Sequence, residues 1–155
     1  MPAHDFLFCI PLLIFFGHTF EQMKKQFSYL IVVLIFFACN ISKYQPAPTA
    51  LQAGREFIDA CLKGDFDKAD FYMADDSTNN SYLLNIETDY HQKTADEKIQ
   101  YGKASINIIE DAAINDSTHI INYKNSYDNI GRKVKVVNSN GIWLVDFKYT
   151  FDGNL

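Results

Sequence analysis

The hydrophobic and polar positions divide the chain into a front part with two apolar runs and a longer, periodic part. The apolar runs are FLFCIPLLIFF, residues 6–16, and LIVVLIFFA, residues 30–38. A helix needs about 20 apolar residues to cross a bilayer, and charged residues separate the two short runs. The pattern therefore disfavours a transmembrane hairpin and places the folded domain after residue 48.

Helical periodicity begins after the proline-bearing segment that ends at Pro48. From Thr49 onwards, apolar residues recur at steps of three and four, which predicts an amphipathic helix with Thr49 as its N-cap. Gly64 is expected to end this helix, and Asp65 is expected to cap a shorter one. The sequence ADDSTNN, residues 74–80, is expected to be a loop.

A third helical region follows this expected loop. Its apolar positions lie on one side of the helix: Tyr82, Leu83, Ile86 and Tyr90. Thr94 and Glu97 then fit a capping box, in which two side chains three residues apart each bond the other residue's backbone. The helical region is therefore expected to restart or kink at Thr94.

After Ala104 the hydrophobic period changes to alternation, which is typical of β-strands. Four alternating segments follow, and Asn140-Gly141 between the last two is a strong hairpin signal. The second segment places on one face His119, Ile121, Tyr123, Asn125 and Tyr127. The last segment, residues 142–151, is expected to be one strand whose inner face carries Trp143, Val145, Phe147, Tyr149 and Phe151. Helices followed by strands predict an α+β domain over residues 49–155, with N-terminal helices packed on a four-stranded antiparallel sheet.

The charge distribution argues against nucleic-acid binding. From residue 40 onwards the chain has 12 lysines and arginines against 17 aspartates and glutamates. Arg132, Lys133 and Lys135 are spread along a predicted strand and are expected to lie on a solvated face. A nucleic-acid binder concentrates positive charge on one surface, so no nucleic-acid partner is expected.

The second apolar run has the features of a secretory signal peptide over residues 23–38. Lys24 and Lys25 follow Met23, an apolar core comes next, and Ala38 supplies the small residue at the cleavage site. Met23 is therefore expected to be the true start, and residues 1–22 to be upstream sequence included by a mistaken start. The alternative is a long bipartite leader that is translated in full.

The sequence Phe36-Phe37-Ala38-Cys39 resembles the lipobox of bacterial lipoproteins, although Phe36 and Phe37 stand where leucine and a smaller residue are commoner. The resemblance implies that the Cys39 thiol receives a diacylglyceryl group and that a peptidase cuts just before it. Residues 39–48 would then be a tether to the membrane, on the periplasmic side of a Gram-negative cell envelope. The alternative is an unmodified Cys39 at the end of a buried helix.

A second resemblance covers most of the periodic part. The segments TALQAGREFIDACLKGDFDKADFYM, DEKIQY and NGIWLVDF look like those of small bacterial lipoproteins of unknown function, whose fold is similar to that of nuclear transport factor two. The marks are Lys63–Phe66 at the end of the first helix and Gly141–Val145 in the last hairpin. The resemblance implies a curved sheet wrapped around helices into a cone that often encloses a pocket. Some relatives use an Asp–Tyr or Asp–His pair for proton transfer.

No catalytic motif accompanies this resemblance. Tyr82, His119, Tyr123 and Trp143 are the residues expected to line a pocket, although an aromatic core is the simpler explanation of the tyrosines. Cys61 lies among apolar residues and is expected to be a small buried hydrophobe. The spacings of histidines, cysteines and carboxylates predict no metal site, and no glycine-rich loop predicts a nucleotide or another cofactor.

These observations favour a lipid-anchored periplasmic module that binds a small apolar ligand or an envelope protein without catalysis. The first alternative is a cone-type isomerase, dehydratase or hydrolase of a small apolar substrate, which requires a titratable group with a shifted pKa inside a dry pocket. The second is a structural role in the envelope, which predicts an exposed apolar patch and no pocket. The sequence leaves the oligomeric state open.

Overall fold

Helices come first and strands second in the part of the chain that the computed structural model describes, residues 43–152. The helices are α1 (Ala50–Lys63), α2 (Phe66–Phe71), α3 (Ser77–Gln92) and α4 (Ala95–Gly102), and the strands are β1 (Ile106–Asn115), β2 (Thr118–Asn125), β3 (Gly131–Ser139) and β4 (Ile142–Asp146). A 3₁₀-helix, Phe147–Thr150, follows β4. The predicted α+β class is confirmed, whereas the predicted leader and Cys39 lie outside the described residues.

The first two helices begin and end where their capping residues predict. Thr49 Oγ1 accepts a hydrogen bond from the backbone N–H of Gln52 at 3.2 Å, and Gly64 follows α1 in the left-handed conformation, with φ of 72°. Asp65 Oδ1 accepts from the N–H of Lys68 at 3.2 Å and so caps α2. These residues set the boundaries because each pairs a backbone group that the helix itself leaves without a partner.

The third helix begins earlier than predicted, and the expectation of a loop through residue 80 is wrong. Asp76 Oδ1 accepts from the N–H of Thr78 at 2.8 Å and from that of Asn79 at 3.2 Å, so α3 is already formed from residue 77. The polar sequence conceals this first turn because serine, threonine and asparagine are weak helix formers. The capping box of Thr94 and Glu97 at the start of α4 is confirmed.

The four strands form one antiparallel sheet in the order β1-β2-β3-β4. The β3–β4 hairpin turns at Asn140 and Gly141, whose φ angles are 54° and 85°. Positive φ at both central residues is what a tight two-residue hairpin turn requires. The predicted hairpin is therefore confirmed.

The register of β2 and β3 decides which side chains face the helices. Ile121 lies opposite Val134, and Tyr123 lies opposite Arg132. Directly opposite residues share a face of the sheet, and both Ile121 and Val134 are completely buried. Arg132 therefore shares the face that packs against the helices, and the prediction of a solvated face for it is wrong.

The last strand is shorter than predicted. It ends at Asp146, and the chain turns into the 3₁₀-helix, so Tyr149 and Phe151 do not continue its face. The N–H of Lys148 donates to Asn79 Oδ1 of α3 at 2.8 Å, which gives that N–H a partner outside the sheet. Alternation of residue types could not show this contact, because its two partners are 69 residues apart.

The outer edge of β4 is paired at Val145 with the segment that follows α2. The N–H of Val145 donates to the carbonyl of Tyr72 at 2.8 Å, and the N–H of Ala74 donates to the carbonyl of Val145 at 2.9 Å. The outer edge of β1, by contrast, has no strand beside it within residues 43–152. One edge of the sheet is thus paired at a single residue and the other is open.

The core lies between α1 and the sheet. Its most deeply buried apolar side chains are Phe57, Ile121, Val134, Val136 and Val145. Gly54 allows α1 to approach β2, because a Cβ atom at this position would lie 2.5 Å from Ile121 Cδ1. Beyond this contact the helix and the sheet leave a space between them.

Candidate functional site

A cavity of about 330 Å³ lies between the helices and the sheet. Its apolar wall includes Phe57, Ile58, Leu62, Ile86, Phe147 and Phe151. Its polar lining consists of Cys61, Tyr101, Tyr123, Asn125, Arg132 and Thr150. A mainly apolar cavity with a few polar groups is the usual composition of a small-molecule site, and this one is near the lower end of the usual range of about 300–1,000 Å³.

Two local patterns bring these side chains together. On α1, steps of three and four place Ile58, Cys61 and Leu62 on one face of the helix. On β2, alternation places Tyr123 and Asn125 on the helix-facing side of the sheet, next to Arg132 of β3. The cavity is therefore closed on one side by a helix and on the other by the β2–β3 ladder.

The charged group of the cavity, the guanidinium of Arg132, is held by Asp128. Arg132 Nη1 donates to Asp128 Oδ1 at 3.0 Å and Nη2 donates to Asp128 Oδ2 at 2.6 Å, and Nη1 also donates to the carbonyl of Ile130 at 3.2 Å. The hydrogen bonds from Arg132 are the main reason why the pKa of Asp128 is lowered. The side chains of Arg132 and Asp128 are 27% and 20% exposed, so water reaches this pair.

Asn125 fixes the turn that carries Asp128. Its Oδ1 accepts from the N–H of Tyr127 at 2.9 Å and from that of Asp128 at 3.1 Å. Asn125 is itself buried, so the turn is attached to the wall of the cavity. The position of the Arg132 side chain therefore depends on β2 as well as on β3.

The phenol of Tyr123 is buried and keeps its proton. Only 7% of the residue is exposed, and burial is the main cause that raises the pKa of Tyr123 above its ordinary value. Its hydroxyl has no hydrogen-bond partner among the described residues, and its oxygen is not among the buried atoms left without a partner, so it keeps contact with solvent. Tyr123 lines the cavity, and its hydroxyl is available to donate a hydrogen bond.

Cys61 is a thiol rather than a thiolate in this environment. Burial raises the pKa of Cys61 to about 12, so the nucleophilic form is scarce at neutral pH. Cys61 packs against the core as a small side chain, but it is partly buried instead of buried as predicted. The cavity therefore lacks an activated cysteine.

The four residues that the sequence suggested as pocket lining do not meet at one place. Tyr123 lines the cavity. The ring of Tyr82 stacks on that of Phe151 at 4.3 Å and so supports the wall without lining it. His119 and Trp143 contact each other edge to face at 5.4 Å, and His119 is four residues, roughly 13 Å, along β2 from Tyr123.

His119 is paired with a carboxylate at its end of the sheet. Its Nδ1 lies 2.8 Å from Asp111 Oδ1, and the two side chains are 23% and 28% exposed. A histidine next to an aspartate can serve in proton transfer. Solvent contact of this extent does not provide the dry surroundings that catalytic groups generally require.

Arg132 is the cavity residue that the sequence analysis placed wrongly. The run of basic residues around it suggested a solvated face. The informative signal was its position two and four residues before Val134 and Val136 on the same alternating strand, since residues at steps of two share a face. Lys133 is the next residue along β3, so its side chain points to the other face of the sheet.

Within residues 43–152, no group of three or more histidines, cysteines, aspartates and glutamates is placed to hold a metal ion. In the same range, no helix combines the length and the apolar character needed to cross a membrane.

No protein-family model matches the chain, and no curated protein is significantly similar to it.

Proposed function

We propose that this chain is a membrane-anchored lipoprotein of the periplasmic side of the cell envelope, which binds a small apolar ligand between its helices and its sheet without catalysing a reaction. The observation that carries the proposal is the cavity of about 330 Å³, with its apolar wall and few polar groups. A cone of the kind found in nuclear transport factor two would enclose a cavity in this place. The order of helices before four antiparallel strands supports that fold.

The anchor rests on the sequence signals at the front of the chain. Lys24 and Lys25, the apolar core and the Ala38-Cys39 pair have the order of a lipoprotein leader. Each buried CH₂ group contributes about 0.8 kcal/mol to membrane binding, so a modification that adds two or three acyl chains anchors a protein firmly. A lipidated Cys39 would hold the domain at the membrane through a short tether.

The chemistry of the cavity favours binding over proton transfer. An isomerase or dehydratase needs a group that accepts a proton from its substrate. Cys61 and Tyr123 both keep their protons because burial raises their pKa values, and Arg132 is a cation whose pKa is raised by Asp128. These three groups can donate hydrogen bonds, but none of them is prepared to act as a base.

Binding of 1-decanol, a neutral apolar probe, tests the proposed function. The full chain, kept in a maltoside detergent at fixed concentration, is heated with increasing 1-decanol, and its midpoint of unfolding, Tm, is followed by circular dichroism. A ligand that binds only the folded state raises Tm. We expect Tm to rise with the 1-decanol concentration.

The decisive comparison is between two phenylalanine variants. Cys61→Phe fills the cavity from α1, whereas Ile99→Phe enlarges a side chain that is 53% exposed on α4. We expect the rise in Tm to disappear in the Cys61→Phe variant and to persist in the Ile99→Phe variant. An unchanged Tm in the native chain, or an equal rise in the Cys61→Phe variant, would show that the cavity does not bind the probe.

A further inference from the structure

Arg132 has two N–H groups without a partner in the part of the chain that the structure describes. A guanidinium carries five N–H donors and no acceptor. Nη1 uses both of its donors, one to Asp128 and one to the carbonyl of Ile130, and Nη2 uses one donor to Asp128. Within the described residues, the donor on Nε and the second donor on Nη2 have no partner.

These two donors lie side by side on one edge of the planar group. Nη2 is the terminal nitrogen on the same side as the Nε hydrogen, so the free donors of Nε and Nη2 point the same way. Asp128 binds the neighbouring edge, which Nη1 and Nη2 form. Two parallel N–H donors match the two oxygens of a carboxylate. The Asp128 pair therefore orients the guanidinium and leaves its other fork available.

The Tyr123 hydroxyl lies on the same side of the sheet, directly across from Arg132. Opposite residues of two antiparallel strands have Cβ atoms roughly 5 Å apart, and Tyr123 and Arg132 are such a pair. The residue is 7% exposed, and its hydroxyl has no partner among the described residues. Tyr123 therefore offers a third donor from the strand that pairs with that of Arg132.

We infer, on the basis of the proposed binding function, that the ligand is a small apolar carboxylic acid whose carboxylate is bound by Arg132 and Tyr123 while its apolar part lies against α1. The donors of the site face a group that only accepts hydrogen bonds, and a carboxylate is such a group. The volume of about 330 Å³ suits one medium-length alkyl chain or an aromatic ring rather than a lipid with two acyl chains.

The partial exposure of the pair makes a second carboxylate acceptable next to Asp128. Asp128 already balances the charge of Arg132, so a bound carboxylate adds one negative charge. Both side chains of the pair remain partly exposed, and this charge keeps contact with water instead of being fully desolvated. The carboxylate is therefore placed beside the partly exposed Arg132 and the apolar tail against the apolar wall.

The test compares decanoate with 1-decanol, which have the same chain length and differ in the head group. Apparent affinities are obtained from the rise in Tm of the full chain in the same detergent, so partition into micelles is common to every variant. Decanoate and 1-decanol have the same number of carbon atoms. A charge-assisted bidentate contact to the carboxylate therefore predicts that decanoate binds about 10-fold more tightly than 1-decanol. We expect Arg132→Gln to weaken decanoate binding far more than 1-decanol binding and so to remove this preference.

Two further variants control for misfolding and for long-range electrostatic attraction between the ligand and the protein. Tyr123→Phe keeps the ring and removes only the hydroxyl, and we expect it to weaken decanoate binding several-fold more than 1-decanol binding. Lys133→Gln removes the neighbouring cation on the other face of the sheet and is expected to change neither. If Arg132→Gln does not fold, Arg132→Lys replaces it and is expected to lose most of the preference, because a lysine lacks the planar fork.

The possible failures are distinguishable. If 1-decanol binds but decanoate shows no preference that depends on Arg132, the carboxylate inference is wrong and the proposed function stands. A loss of preference in the Lys133→Gln variant that equals the loss in the Arg132→Gln variant would also overturn the inference. If neither probe raises Tm, both proposals fall together.

Discussion

The absence of a side chain at Gly54 fixes how closely α1 approaches the sheet. A Cβ atom at this position would lie 2.5 Å from Ile121 Cδ1 and 3.4 Å from Val136 Cγ2. Both neighbours are completely buried, so they have little room to move. Because α1 also forms the wall of the cavity, one residue influences both the stability of the core and the width of the binding space.

Replacement of Gly54 by alanine is expected to destabilise the protein by about 1 kcal/mol. Overpacking a buried contact costs about 1–3 kcal/mol, whereas alanine improves helix propensity by about 1 kcal/mol. Urea unfolding of the full chain measures the difference. Gly102→Ala is the control, since its Cβ would meet only the carbonyl of Leu62 at 3.8 Å. An increase in stability for Gly54→Ala would show that α1 can shift away from β2.

Residue identities predict local backbone structure well in this chain and predict side-chain surroundings less well. Thr49, Gly64 and Asp65 act through their nearest neighbours, so their roles could be inferred from a few letters of sequence. Arg132 acts through Asp128 and faces Tyr123 across the β2–β3 ladder. The alternation of Arg132 with Val134 and Val136 indicated the face of the sheet that packs on the helices. The local run of basic residues indicated a solvated face, and the prediction followed that run.

At the scale of elements, two polar contacts join the start of α3 to Lys148 in the 3₁₀-helix that follows β4. Asp76 caps α3, and its Oδ2 also accepts a hydrogen bond from Lys148 Nζ at 2.5 Å. Asn79 is completely buried, where its Nδ2 donates to the carbonyl of Ala74 at 2.9 Å and its Oδ1 accepts from the N–H of Lys148. The polar sequence that suggested a loop therefore forms the contact between α3 and the 3₁₀-helix.

The cap of α3 makes a testable contribution to stability in acid. The hydrogen bond from Lys148 is the main cause that lowers the pKa of Asp76 from 3.8 to about 2. Because the folded pKa lies below the ordinary value, the ionised carboxylate stabilises the fold above about pH 4, and this stabilisation is lost as the pH falls toward 2. An asparagine at this position would still cap the helix, so the substitution Asp76→Asn removes the charge alone.

We therefore expect the stability difference between the native chain and Asp76→Asn to narrow as the pH is lowered from 5 to 2. The urea midpoint of the full chain at a series of pH values measures it. Asp75→Asn removes the same charge one residue earlier, where the side chain accepts from Asn80 instead of Lys148, and is the control. A difference that stays constant over this range would contradict the assigned role of the Asp76–Lys148 pair.

The types and order of the elements could be predicted from the sequence because they follow from hydrophobic period and from caps. The end of β4 could not, because the contact that turns the chain joins Lys148 to Asn79 across most of the domain. The start of α3 had a local signal, Asp76, which was hidden by the weak helix propensity of the residues after it. Long-range partners and competing local signals account for both errors.

At the scale of the whole molecule, the cavity was expected only through a resemblance. The cavity is the space left between α1, α3, α4 and the sheet after they have packed. No pattern in the sequence gives the volume of that space. Tyr123 was assigned to a pocket because it alternates with core residues. His119 shares that alternation but lies at the other end of β2, where the pattern gives no information about position along the strand.

The proposed anchor predicts that Cys39 carries lipid in the cell. The full chain is expressed in a Gram-negative host with radiolabelled palmitate, and we expect the label to enter the protein and the protein to sediment with membranes. Cys39→Ala should lose both properties, since lipidation requires the thiol. Cys61→Ala is the matched control and should keep the label. Labelling that continues in the Cys39→Ala variant would overturn the assignment of the anchor.

The unequal edges of the sheet limit how copies of this domain could add to one another. A sheet grows from one molecule to the next only where a strand has unpaired backbone groups. Tyr72–Ala74 pairs the outer edge of β4 at Val145 alone, whereas within residues 43–152 the whole length of β1 has no strand beside it. Two copies joined through β1 would pair their two longest open edges with each other. Self-association through β1 therefore leaves only the short edge of β4, already interrupted at Val145, for further growth.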